Sequence, residues 1–143
     1  MFTNSGFRRR ALDTAAVLVI VLAGLACVLY SGLSAPRLRP SPLFPLLRTS
    51  IEGMTWQTLA ALAALGLLAG LLTRLPVFAI GLASIATLPV GMVAEIFYDP
   101  TSHNMFPFEF VVYLLLQVPA LLGALLGLGI RWLLIERRHA PRN

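Results

Sequence analysis

The chain has 143 residues, of which 58% are hydrophobic and 12% are charged, and its formal net charge is +5. Soluble domains contain roughly 45–50% apolar residues even when glycine is counted, and about 25% charged residues. Disordered chains are less hydrophobic still, so the composition excludes both classes. The single cysteine excludes a disulfide-stapled scaffold. What remains is an integral membrane protein with one membrane domain over residues 1–143.

Four stretches without a charged side chain predict where the chain crosses the bilayer. Each is roughly 20 residues long, the length of helix that spans a hydrocarbon core of about 30 Å. One of them, LAALAALGLLAGLL at residues 59–72, is apolar on every face, unlike the alternating pattern of a membrane strand. The sequence therefore predicts an all-α bundle of four transmembrane helices, near residues 11–31, 55–73, 76–97 and 108–135.

The first predicted helix follows three arginines, Arg8, Arg9 and Arg10, as the apolar run of a signal peptide does. Its apolar run is longer than the roughly 7–15 residues of a signal sequence, so we expect it to remain as a membrane span. Residues 31–54, which follow it, contain four prolines and are predicted to form a long outer loop.

Small residues in the second and fourth helices predict close helix contacts. Gly66 and Gly70 lie four residues apart in the second helix, and Gly123 and Gly127 in the fourth. Such a pair leaves a groove that another helix backbone can approach closely. We predict that at least one pair lies at a helix contact, either within the chain or between copies. The short connection at residues 73–76 predicts that helices two and three form a tight hairpin.

Two prolines lie inside predicted helices, Pro89 in the third and Pro119 in the fourth. Each removes one helical hydrogen bond, so each is predicted to kink its helix. Gln117 places an amide at mid-membrane depth, where it needs a partner. We interpret it as forming an interhelical hydrogen bond, and the alternative is that it lines a pore or cavity.

The segment EIFYDPTSHNMFPFE at residues 95–109 gathers polar side chains in a predicted outer loop, 98–107, and the helix ends beside it. Glu95, Asp99, His103 and Glu109 would form a metal or proton site if the two helix ends are neighbours. Carboxylate and imidazole ligands suit zinc, manganese or iron, and an imidazole beside a carboxylate also carries protons.

A structural interpretation accounts for most of the same residues. Asp99 before proline forms an Asx-type turn, and Glu109 is favoured beside the positive end of a helix dipole. Glu95 is explained least well, because it sits deepest in the predicted membrane. The structural loop is the preferred interpretation, a metal or proton site the first alternative, and a surface that docks a partner the second.

The distribution of arginine predicts the orientation. Eight arginines lie at the two termini and in the turn at Arg74, whereas three lie in loop 31–54. Positively charged residues favour the cytoplasmic side, so both termini are predicted to be cytoplasmic. All 11 basic residues are arginine, which indicates a bacterial coding bias and hence an inner-membrane location.

The leading functional hypothesis is a small multi-pass membrane protein without catalytic activity of its own, acting as an accessory subunit or an oligomeric scaffold. We expect no cofactor and no nucleic-acid partner; the expected partners are lipid, a second copy or another membrane protein. One alternative is a transporter or ion-conducting unit built from several copies. The other is a metal-dependent membrane enzyme using Glu95, Asp99, His103 and Glu109.

Overall fold

The computed structural model describes residues 4–34, 54–98 and 108–139, and within these ranges the chain is entirely helical outside its short connections. Its helices form four rods, two of which are interrupted by a single residue. In chain order they are α1 (Asn4–Ser34), α2 (Trp56–Leu72), α3 (Val77–Ile85) continued by α4 (Thr87–Tyr98), and α5 (Phe108–Leu116) continued by α6 (Val118–His139). The predicted all-α chain with four helices is confirmed.

The connection between α2 and α3 is short, because α2 ends at Thr73 and α3 begins directly after Pro76. Thr73 ends α2 in an extended conformation, and its backbone N–H donates to the carbonyl oxygen of Ala69 at 2.9 Å. Its hydroxyl donates to the same oxygen at 2.7 Å. Pro76 precedes α3 with a φ of −62°, the value that its ring imposes and that suits a helix start. The two helices contact each other.

The interruptions of the other two rods lie just before the two internal prolines. The third rod is broken at Ala86, three residues before Pro89, and the fourth at Gln117, two residues before Pro119. A proline has no N–H with which to continue the helical ladder. The carbonyls of Ile85 and Leu115 are therefore without the donor that a regular helix supplies from four residues further on.

The helices run in alternating directions. Gly66 of α2 lies against Ala120 of α6, and Gly70 lies against Ala124, so these two helices are parallel. Their contact is the most extensive in the described part of the molecule.

The other rods complete this arrangement. Ile20 of α1 shares one buried cluster with Ile80, and Val28 shares another with Leu88 and Tyr113, so α1 is parallel to α3 and α4. Leu88 follows Ile80 in the chain, whereas Tyr113 precedes Leu121, which faces Gly81. The fourth rod is consequently antiparallel to the third. It follows that the described ends of the chain, in α1 and α6, lie at the same end of the bundle.

Small residues line the contact between α2 and α6, and large apolar side chains lie both in the interior and on the outer surface. Ala120 and Ala124 are completely buried, but Leu72 is 80% exposed and Phe97 is 85% exposed. Two segments, Phe7–Ser31 and Phe110–Ile135, are long and apolar enough to cross a membrane by their length and composition.

Candidate functional site

The predicted outer cluster is only partly within the described residues. Glu95 lies in α4 and Glu109 in α5, and these two helices contact each other. Their side chains, together with Asp99 and His103 as whole residues, lie outside the part of the chain that the structure describes. The metal or proton site and its structural alternative therefore both stay predictions.

The contact between α2 and α6 is built from both glycine pairs. A Cβ atom added to Gly66 would overlap the carbonyl oxygen of Ala120, and one added to Gly70 would overlap that of Ala124. The missing side chains let the two backbones approach to a distance that any larger residue would prevent. We call the contact between Ala63–Gly70 of α2 and Ala120–Gly127 of α6 the glycine seam.

The glycine seam is reciprocal, because α6 presents its own glycines to α2. A Cβ on Gly123 would overlap the carbonyl oxygen of Ala63, and one on Gly127 would overlap that of Leu67. All four glycines are buried. Both grooves are thus filled within one chain, so a contact between copies would have to use other surfaces.

Arg131 of α6 closes the seam at the end of α2. Its guanidinium Nη1 donates to the carbonyl oxygen of Thr73, the residue at which α2 ends. Helix C-termini leave carbonyl oxygens without donors and carry a partial negative charge, and an arginine satisfies both. Sequence reasoning assigned Arg131 only a topological role, because no local spacing connects residues that are 58 positions apart.

Gln117 lies inside the bundle at the interruption between α5 and α6, and only 5% of its surface is exposed. Its Oε1 atom accepts no hydrogen bond from any described residue. A Cβ on Gly81 of α3 would overlap the side chain of Leu121, which fills the space that the glycine leaves, and would lie 3.5 Å from this oxygen. The expected interhelical hydrogen bond is therefore not made by this atom. The amide also does not face a surface that several copies share, since it is buried within one chain.

A second polar atom is left unpaired next to the other interruption. Thr87 is the first residue of α4, and its buried hydroxyl oxygen has no hydrogen-bond partner among the described residues. By contrast, the hydroxyl of Ser84, one turn earlier, donates to the carbonyl oxygen of Gly81 at 2.7 Å. The sequence shows where the prolines and the amide lie. It does not indicate that the hydroxyl oxygen of Thr87 is buried without a hydrogen-bond partner among the described residues.

Comparison with known proteins supplies no relative from which a role for these residues could be transferred. The chain matches no protein-family model, no curated protein and no solved structure. Within residues 4–34, 54–98 and 108–139, no group of three or more His, Cys, Asp or Glu residues is placed to hold a metal ion. The features that remain for a functional interpretation are the glycine seam, the outward apolar surface and the two helix interruptions.

Proposed function

We propose that the chain is a non-catalytic integral membrane protein of a bacterial inner membrane, acting as an accessory subunit or an oligomeric scaffold. In this proposal it crosses the bilayer four times, with loops 31–54 and 98–107 outside and both termini in the cytoplasm. The single observation that carries the proposal is the apolar outer surface, which includes exposed large hydrophobic side chains on every rod.

Such a surface matches what a lipid solvent favours. Helices in a membrane gain little from hiding leucine, since lipid is equally apolar, and associate instead through small residues that pack closely. The glycine seam, with its buried Ala120 and Ala124, follows this rule, and Leu72, Leu22 and Leu126 face outward. A water-soluble protein rarely exposes apolar patches larger than a few hundred Å², whereas this surface extends along every rod.

The helix directions support the proposed topology. Alternating rods place the described ends of the chain at one end of the bundle, together with the turn at Arg74 and the Arg131–Thr73 contact. This is also the end where arginines concentrate in the sequence, as expected for the cytoplasmic side.

The scaffold role is supported by which helix surfaces are occupied within the chain and which stay exposed. Because the glycine seam is occupied within the chain, it holds α2 and α6 together as one unit. The outward face of α1, which includes Leu18 and Leu22, stays available for lipid, a second copy or another membrane protein.

Topology is tested by labelling with a membrane-impermeant maleimide in intact bacterial cells whose outer membrane has been made permeable. In a Cys27→Ala background, Ser50→Cys and Ser102→Cys should react from outside. Arg138→Cys should react only after the inner membrane is opened, which also serves as the control for thiol reactivity. Reaction of Arg138→Cys in intact cells, or extraction of the protein from membranes by alkaline carbonate, would overturn the proposal.

The role is tested separately, by cross-linking in the membrane. Leu22→Cys, on the outward face of α1, should form a discrete homodimer or a discrete adduct with one membrane protein. Val28→Cys, at a position that is completely buried, is the matched control and should form neither. A monomer with no discrete adduct would remove the scaffold and subunit role while leaving the membrane topology intact.

A further inference from the structure

The hairpin of α2 and α3 is shorter at its turn than the two helices that flank it. α1 and α6 each contact both helices of this hairpin. Gly24 of α1 lies level with Ser84 of α3, because a Cβ on Gly24 would overlap the carbonyl oxygen of Ser84. The two helices run in the same direction, so Val17 lies level with Val77, where α3 begins. α1 extends from Val17 back to Asn4, roughly 20 Å of helix past that level.

α6 extends past the hairpin at the same end. Arg131 contacts the carbonyl oxygen of Thr73, and α6 continues beyond Arg131 for roughly 12 Å. Burial agrees with both extensions, because residues 7–12 of α1 and 132–135 of α6 are all exposed. Four consecutive positions cover the whole circumference of a helix. The turn at residues 73–76 therefore lies between two protruding helix ends, and we call this place the hairpin-tip recess.

The hairpin-tip recess is strongly basic. Arg74 is exposed at the turn itself, and Arg131 is half-buried beside it. Arginines outnumber acidic residues in the turn and the two protruding ends, with Arg8, Arg9, Arg10, Arg74, Arg131, Arg137 and Arg138 against Asp13 and Glu136. Such an excess of one charge attracts ligands of the opposite charge.

The apolar end of α6 places the recess below the membrane surface in the proposed orientation. Residues 132–135 are Trp-Leu-Leu-Ile, and all four are exposed. Lipid is the solvent that suits them, so the hydrocarbon region reaches past Arg131 by about one helical turn, roughly 6 Å. Arg74 directly follows Thr73, which Arg131 contacts, and so lies at a similar depth. A guanidinium at that depth is costly unless an anion or a headgroup reaches it.

A phospholipid headgroup supplies the group that this arginine lacks. The planar guanidinium matches the oxygen geometry of a phosphate. Leu72 is 80% exposed on one side of the turn and Phe78 is 60% exposed on the other, which gives acyl chains an apolar surface next to the charge. A lipid with a net negative charge fits better than a zwitterionic one, because the whole end of the molecule is basic.

We propose that the hairpin-tip recess binds an anionic phospholipid, with its phosphate on Arg74 and its acyl chains along Leu72 and Phe78. The exposed arginines of α1 raise the concentration of anionic lipid around the recess. The proposal rests on the membrane location proposed above and not on the scaffold role.

The test is thermal unfolding of the purified full chain in detergent micelles that contain phosphatidylglycerol or phosphatidylcholine with the same acyl chains. A ligand that binds only the folded state raises the melting temperature with its concentration. We expect a larger rise with phosphatidylglycerol than with phosphatidylcholine. Arg74→Gln should lose most of the difference, while its melting temperature without added lipid stays close to that of the wild type.

Arg48→Gln is the matched control, because it removes the same charge from loop 31–54, which the proposed topology places at the other side of the membrane. It should keep the full preference for phosphatidylglycerol. Native mass spectrometry of the wild type and Arg74→Gln gives a direct measurement, in which the wild type should retain more phosphatidylglycerol. Glycerol 3-phosphate, which has the phosphate without acyl chains, should raise the melting temperature little.

Equal rises with the two lipids would overturn the inference. So would a preference for phosphatidylglycerol that Arg74→Gln retains, or that Arg74→Gln and Arg48→Gln reduce equally, since net charge alone would then explain it. A full rise with glycerol 3-phosphate would assign the recess to a soluble phosphate and also overturn a lipid site. A chain that resists carbonate extraction but has no lipid preference overturns this inference and leaves the membrane location intact.

Discussion

The guanidinium of Arg131 donates a hydrogen bond to the carbonyl oxygen of Thr73, and so joins α6 to the point where α2 ends. Thr73 itself is fixed by two hydrogen bonds to the carbonyl oxygen of Ala69. Its own hydroxyl accepts from the backbone N–H of Leu75 at 3.4 Å. The arginine therefore holds the turn between α2 and α3 through a group that is already rigid.

Removing this contact should destabilise the fold. Hydrogen bonds from charged donors contribute about 1.5–3 kcal/mol, so Arg131→Gln should lower the free energy of unfolding by a similar amount, discounted for the partial exposure of Arg131. Arg74→Gln removes the same charge from an exposed residue that directly follows Thr73 in the sequence. It should change the free energy of unfolding by less than about 0.5 kcal/mol. Denaturation of both variants in mixed micelles makes the comparison. Equal effects would show that only net charge matters.

The glycine seam should tolerate no added methyl group. Because a Cβ on Gly66 or Gly123 would overlap a backbone oxygen, the helices must separate to accommodate alanine. Overpacking of this kind typically costs about 1–3 kcal/mol and occasionally more. We expect Gly66→Ala and Gly123→Ala to lower the free energy of unfolding by at least that amount.

Gly129 supplies the control for this prediction. It lies two residues beyond Gly127 in the same helix, and a Cβ there would meet nothing within 4 Å. Gly129→Ala should be neutral or stabilising by up to about 1 kcal/mol, the difference in helix propensity. If all three alanine variants unfold alike, the backbones at the seam are not in close contact.

The sequence predicts the positions of the helices better than it predicts which helices pack against each other. Long stretches without charge identify four rods because lipid and packing both select against charge there. The start of α1 is harder to predict from the sequence. The helix begins at Asn4 rather than near residue 11, because Arg8, Arg9 and Arg10 are good helix formers and need not lie in the bilayer. A hydropathy pattern locates the apolar part of a helix and not its polar extension.

Partner choice depends on three-dimensional register, which spacing along one helix does not contain. A pair such as Gly66 and Gly70 indicates a groove but not the helix that fills it. The same holds for Arg131 and Thr73, which meet only because α2 and α6 run parallel. For the outer cluster, the sequence predicts that Glu95 and Glu109 lie on neighbouring helix ends, and whether their side chains meet stays a prediction.

Gln117 should be a destabilising residue, because its buried Oε1 atom has no hydrogen-bond partner among the described residues. An unpaired buried polar atom costs about 1–3 kcal/mol, and replacing it by an apolar group of similar size removes that cost. Gln117→Leu should therefore raise the free energy of unfolding by about that amount. Gln117→Ala, which leaves a cavity, should not. A loss of stability in Gln117→Leu would mean that the amide already has a partner.

The two interpretations of residues 95–109 predict effects of different substitutions, on metal binding in one case and on stability in the other. If Glu95, Asp99, His103 and Glu109 hold a divalent metal, His103→Ala should abolish binding of zinc or manganese by the purified protein, while Ser102→Ala should change it little. Binding should also weaken as the pH falls, because a metal ligand must be deprotonated. Metal content after dialysis against buffered zinc or manganese measures this directly.

The structural interpretation predicts the opposite ranking. Loss of the Asx-type turn should make Asp99→Ala lower the melting temperature, since turn and cap contacts of this type contribute about 1 kcal/mol, and His103→Ala should leave it unchanged. Thermal unfolding of the two variants side by side, without added metal, therefore complements the binding experiment. Absence of bound metal together with an unchanged His103→Ala variant would eliminate the metal site. A proton-carrying role of Glu95 would still be measurable separately, as proton flux into vesicles containing the wild-type protein or Glu95→Gln.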